Sequence, residues 1–288
     1  MKKTRLPLTD NFIFKAVFAQ HEDLLLDLLN SFPEFSGEKK IVSLKVLNPE
    51  LPKISDVDKL SILDIRAKDS IGNQFLIEMQ SDSQLTFGAR ILYYWSKIFS
   101  KSLKKAEGYL KLPKVYSINF TEFRLTERKH YYSVFQLLEK SEPEIRLTDL
   151  LEIHILELPK FKDKIGSLKT DLETWIFALK EMHILSGDDM NILVKKNPKI
   201  KKAATEYKEF TSSEKNRILI EQRKKADLDY LSGIEIAEQR GIEKGIEKGI
   251  EQTVLKMLEK KASLDFISEV TGLAIPEIIA IQKKHSRK

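Results

Sequence analysis

Two hydrophobic periodicities divide the chain at about residue 160. Residues 9–32 (TDNFIFKAVFAQHEDLLLDLLNSF) place Phe14, Val17, Phe18, Leu24, Leu25, Leu28 and Leu29 at helical spacing behind Thr9 or Asp10 as a cap, which predicts an amphipathic helix or helix pair. Residues 41–47 (IVSLKVL) read as a short strand, followed by a loop through Asn48-Pro49 and Pro52. Residues 60–80 (LSILDIRAKDSIGNQFLIEMQ) alternate on both sides of Asp69, Gly72 and Asn73, the pattern of a β-hairpin. A helix over 84–105 carries Phe87, Ile91, Trp95 and Ile98 on one side. Residues 114–120, 130–138 and 151–158 then read as strands, the last stopped by Pro159. This order predicts an α/β fold, a mixed sheet flanked by helices. Beyond it only helical patterns continue: residues 172–185, a lysine-rich connection over 195–202, and a long charged segment from Ser213. The expected regions are 1–165, a helical extension over 166–225, and a C-terminal part over 226–288.

The hairpin carries the chemistry. If it closes symmetrically about Ile71, Leu63 faces Met79, Ile65 faces Ile77 and Ala67 faces Phe75, an apolar set that belongs to the core. The opposite face pairs Ile62 with Gln80, Asp64 with Glu78 and Arg66 with Leu76. Directly opposed side chains stand with Cβ atoms roughly 4.5–5.5 Å apart, and like charges there repel. A divalent cation relieves that repulsion, and carboxylate oxygens are what Mg²⁺ prefers. The hairpin therefore marks a candidate metal-dependent nuclease. The competing reading is a solvated face with two unrelated acids, and a bulge at Gly72 would shift the register.

Other features change the picture less. Arg90, Lys97, Lys101 and Lys104 fall at intervals of seven, four and three, one helical face able to follow a phosphate backbone or to serve solubility. Asp10, Lys15 and Glu22 are the polar residues of use on the first helix, unless they form a solvated face, and Lys195, Lys196, Lys199, Lys201 and Lys202 could touch nucleic acid but read rather as a solvated linker. His130 and His154 lack ligand spacing and read as structural or surface residues. The chain has no cysteine, which excludes disulfides and thiolate chemistry. Its net charge of +6 permits a nucleic-acid partner without demanding one. The start MKKTRLP leads into no apolar h-region and no run of 18 apolar residues occurs, so a soluble, cytoplasmic protein without a membrane partner is expected. In GIEKGIEKGIEQ at 241–252, glycine and isoleucine each recur every fourth residue, a pattern for close helix–helix self-association or for a flexible arm. The tail from Ser263 outlines a helix-turn-helix around Thr271-Gly272, with few groups at the start of its second helix able to read bases, so docking or dimerisation is preferred.

Several segments together carry a resemblance. Thr9-Asp10-Asn11-Phe12 with Phe14-Lys15, the run KLSILDIRAK at 59–68, Ile77-Glu78-Met79-Gln80, Arg90 with Tyr93-Tyr94-Trp95-Ser96-Lys97, Glu157-Leu158-Pro159-Lys160 and the glycine-glutamate-lysine repeat resemble the PD-(D/E)XK nuclease superfamily. The likeness spans about residues 5–285 and is nearest to the Rpn branch of recombination-promoting nucleases and transposases. It implies a restriction-endonuclease-like mixed sheet over 1–165 and an all-α C-terminal region. It also implies that Asp64 and Glu78 bind Mg²⁺, with Mn²⁺ as a substitute and the Met79 carbonyl as a further ligand. Gln80 stands where the superfamily has lysine, and Leu63 where it has proline. A glutamine carries no charge and cannot act as a base, but it orients a water; Lys97 or Arg90 would restore part of the charge. The implied activity is a Mg²⁺-dependent DNA endonuclease of low sequence specificity linked to recombination or transposition, a homo-oligomer through its C-terminal helices. The alternative is a catalytically weak or inactive nuclease-fold protein that binds DNA or self-assembles.

Overall fold

The computed structural model describes residues 6–48, 50–51, 61–62, 64–81, 86–103 and 106–285. The Pro52 loop, the Leu63 partner of Met79, the expected helix ends at Gln84 and Lys105, and Lys104 lie outside these residues. The first periodic segment resolves into a helix pair, α1 (Asn11–Phe18) and α2 (Glu22–Asn30). The Asp10 carboxylate caps α1, accepting from the N–H groups of Phe12 and Ile13 at 3.1 and 3.2 Å. Next come β1 (Leu44–Leu47), a short antiparallel ribbon of β2 (Glu50–Leu51) and β3 (Ser61–Ile62), then β4 (Ile65–Asp69) and β5 (Gln74–Gln80). Helix α3 (Phe87–Lys101) crosses over to β6 (Val115–Thr121), followed by β7 (Tyr132–Phe135) and β8 (Leu151–Glu157).

Among the described residues six strands form one mixed sheet in the order β1-β4-β5-β6-β8-β7. The β1, β4 and β5 pairings are antiparallel, β5, β6 and β8 are mutually parallel, and β7 is antiparallel to β8. Every residue of β6 and β8 is buried, as expected of strands covered on both faces. On one face Phe14, Phe32 and Phe35 pack on Phe120, Phe75 and Tyr116. On the other, α3 sets Ile98 against Leu76 and Val115, and Phe87 and Ile91 against Leu151, Ile153 and Ile155. His130 is exposed, whereas His154 is fully buried, hydrogen-bonded through Nδ1 to the Tyr132 hydroxyl at 2.8 Å.

Helices α4 (Asp171–Glu181), α5 (Gly187–Lys196) and α6 (Lys199–Ser212) follow the sheet. They belong to the same compact unit, Met1–Arg217. The expected lysine linker is not a linker: it ends α5 and begins α6, with Ile200 fully buried. Its lysines are drawn to acids on α2. Lys199 and Lys202 bind Asp23 at 2.8 and 2.6 Å and hold that carboxylate down at about 2. Asp27 Oδ2 accepts from Trp175 Nε1 and Asn197 Nδ2 at 2.8 and 2.7 Å.

The second unit, Ile218–Lys288, contains most of α7 (Glu214–Glu259), with α8 (Leu264–Thr271) and α9 (Ile275–His285). Val254, Ile267 and Ile278 form its buried cluster. Ser263 caps α8, and Gly272 ends it at φ +73°, a left-handed conformation that favours glycine. The glycine repeat is helical throughout, so a regular α-helix replaces the alternative of a flexible arm. Ile242 and Ile246 stay more than half exposed, and a Cβ built at Gly241, Gly245 or Gly249 meets nothing within 4 Å. Among the described residues no helix is long and apolar enough to cross a membrane.

Candidate active site

The site begins with the hairpin turn. Asp69 accepts from the N–H groups of Ile71 and Asn73 at 3.1 and 2.8 Å and from Asn73 Nδ2 at 2.8 Å. Gly72 takes φ +104°, where a side chain would be strained. The irregularity stays inside the loop, because the Asp69 N–H still donates to the Asn73 carbonyl at 3.1 Å. The expected register therefore holds over β4 and β5, where Ile65 opposes Ile77, Arg66 opposes Leu76 and Ala67 opposes Phe75, whereas Ile62 pairs with Glu50 in the β2–β3 ribbon instead of with Gln80.

One step past the Ile65–Ile77 pair, Asp64 and Glu78 come together. Asp64 Oδ2 accepts from the Met79 N–H at 2.7 Å, and the Glu78 carboxylate accepts from the Asp64 N–H. Each acid is thus held by the backbone of the other arm. Asp64 is 9% exposed, and Glu78 Oε1 is buried without a hydrogen-bond partner among the described residues. Burial raises the Asp64 pKa, against the Met79 N–H, the Asn11 side chain and the charges of Lys15 and Arg90, which lower it. Burial, and then the Asp64 charge, push Glu78 up to about 8, against the charges of Arg90 and Lys15.

Residues from both helical layers converge here. From α1, Asn11 bonds Asp64 and Lys15 lends charge to both acids. From α3, Arg90 Nη2 donates to Gln80 Oε1 while the guanidinium lies 5.7 Å from the centre of the Phe87 ring. A small cavity is lined by Leu76, Glu78, Phe87, Arg90, Tyr94 and Asn119. The basic stripe is not continuous at the surface: Lys97 is only 6% exposed, its ammonium 5.7 Å from the Tyr93 ring centre, and Lys101 is half-buried. Lys97 is thus buried beside Tyr93 rather than open at the surface, and Arg90 and Lys15 are cations whose charges act on both acids. Asp10 is taken up by the α1 cap, and Lys104 lies outside the described residues. Asn11, Tyr94 and Asn119 had no role from sequence; Asn11 and Tyr94 stand in segments that carry the family resemblance, and nothing local distinguishes Asn119.

Two close carboxylates, one with a buried oxygen lacking a partner, fit a divalent cation. Among the described residues no group of three or more His, Cys, Asp or Glu gathers. The pH dependence follows. Between the unfolded Glu value of 4.5 and about 8, the unfolded chain has released a proton that folded Glu78 retains, so stability falls as pH rises. Without added metal, melting temperatures should fall from pH 5 to pH 8, and Glu78→Gln should flatten the slope. Asp23 and Glu152, whose values are lowered, have already released their protons in this window. An unchanged slope in Glu78→Gln contradicts the assignment.

Residues 7–237 match the family described as PD-(D/E)XK nuclease family transposase, a span that includes the whole sheet, the hairpin acids and most of the helices after them. No curated protein and no solved structure gives a match. The mixed six-stranded sheet with flanking helices agrees with that family's nuclease fold, and PD-(D/E)XK nucleases generally use divalent metals. The matched span covers well over half of the chain, and the protein belongs to the PD-(D/E)XK nuclease family transposases.

Proposed function

We propose that this protein is a Mg²⁺-dependent endodeoxyribonuclease of low sequence specificity, acting in the cytoplasm in DNA recombination or transposition. The observation that carries this reading is the Asp64–Glu78 pair, two acids held face to face by each other's backbone in a partly buried hairpin. These carboxylates would hold the cation, Mg²⁺ or Mn²⁺ in its place, with the Met79 carbonyl as a further oxygen. A cation bound there supplies Lewis acidity toward water and the phosphodiester. Gln80, fixed by Arg90, is suited to orient a water rather than to take its proton. Arg90 and Lys15 are the positive groups acting on the acids, and they would face the phosphate. Lys101 and Lys104 remain proposed contacts to the DNA backbone further along. The absent lysine at Gln80 favours a second reading, a nuclease-fold module that binds DNA or assembles without cutting it.

Supercoiled plasmid should be nicked or linearised with Mg²⁺ and left intact with chelator. Asp64→Ala and Glu78→Ala should abolish cleavage. Lys15→Ala should slow it by about 100-fold, the scale of losing one group that stabilises developing charge. Native-level cleavage by either acid variant sinks the enzyme reading, and DNA binding without scission selects the module.

We also infer self-association through the C-terminal helices, supported by the exposed isoleucines and open glycine faces of the α7 repeat. Light scattering should report an oligomer that Ile242→Glu with Ile246→Glu converts to a monomer. An unchanged mass removes this part of the proposal.

A further inference from the structure

The strand next to Glu78 carries an oxygen with no stated task. In the parallel β5–β6 pairing Glu78 stands beside Asn119, and both side chains line the same cavity. Asn119 is fully buried, and its amide nitrogen is committed, donating to Ser117 Oγ at 3.1 Å and to the His154 carbonyl at 3.2 Å. A carbonyl only accepts, so these contacts fix which end of the amide is nitrogen. The other end, Oδ1, is left without a hydrogen-bond partner among the described residues, as is Glu78 Oε1. Two buried acceptors around one cavity call for a shared donor or cation, since a buried oxygen left unsatisfied is destabilising. The cavity, with about 10 Å³ open to the centre of a water molecule, has room for about one water.

We propose that Asn119 is a further oxygen of the metal site, its Oδ1 reaching the cation bound by Asp64 and Glu78 through one water held in this cavity. The inference rests on the metal-site reading above. It assigns β6 a part in the chemistry: from the neighbouring strand, Oδ1 supports the Glu78 side of the ligand set.

Calorimetric titration of the full chain with Mn²⁺, without nucleic acid, tests this. Asn119→Ala should weaken Mn²⁺ binding by about 10-fold, the lower end of what loss of an outer-shell partner does. Asn119→Asp keeps an oxygen toward Glu78 while losing both amide donors, and should bind Mn²⁺ at least as tightly as the native chain. A purely structural Asn119 makes the aspartate variant as weak as the alanine one, which overturns the inference, as does unchanged affinity in Asn119→Ala. If Asn119→Ala fails to fold by circular dichroism, Asn119→Asp decides alone: native or tighter binding supports the proposal and weaker binding overturns it. Asp64→Ala and Glu78→Ala separate the two levels, because native Mn²⁺ affinity in those variants removes the site itself, whereas its loss there with an unaffected Asn119→Ala removes only Asn119.

Discussion

Two carboxylates facing each other across a hairpin repel when both are charged, and each of these is tied to the other's backbone. Asp64 takes the Met79 N–H, and Glu78 takes the Asp64 N–H. Those bonds exist only in one register, so the turn that sets the register is part of the site. Asp69 and Gly72 do that work about five residues away, by confining the irregular backbone to the loop. The sheet supplies the rest of the constraint. Glu78 lies toward the carboxyl end of β5, and β5, β6 and β8 run parallel, so the acids stand at the end of the sheet where open α/β folds place their ligands.

The electrostatics are unequal. A buried pair of acids raises both proton affinities, and the nearby positive groups offset this only in part. Arg90 is the more permanent of these, since a guanidinium does not deprotonate in a protein. By binding Gln80 it brings a fixed charge to the position where the superfamily pattern has a lysine, while Lys15 approaches from the opposite layer. The site is thus assembled from a strand pair and two helices that share no sequence neighbourhood.

Much of this was legible before the structure. Period-two alternation on both arms, with turn residues between, set the hairpin register and therefore the meeting of Asp64 and Glu78. The helix pair, the strands after α3 and the helix-turn-helix outline of the tail followed from similar local signals. What could not be read was anything decided by contacts distant in sequence. Lys199 and Lys202 look like a solvated linker until α2 presents Asp23 to them. Lys97 shares a helical face with Arg90 in the sequence, yet the approach of α3 to the sheet buries it. Asn119 is one of three buried polar residues in β6, and only the parallel pairing puts it beside Glu78. Strand order and parallel pairing leave almost no trace in hydrophobic period, which reports burial and not the neighbour.

On the proposed reading Asp64 and Glu78 form one divalent-cation site. A crystal of the full chain soaked in Mn²⁺ and measured at a wavelength where manganese scatters anomalously tests it without reference to turnover. An anomalous peak should appear within coordination distance of both carboxylates; full Mn²⁺ occupancy elsewhere, or no peak between these acids at saturating Mn²⁺, contradicts a shared cation site.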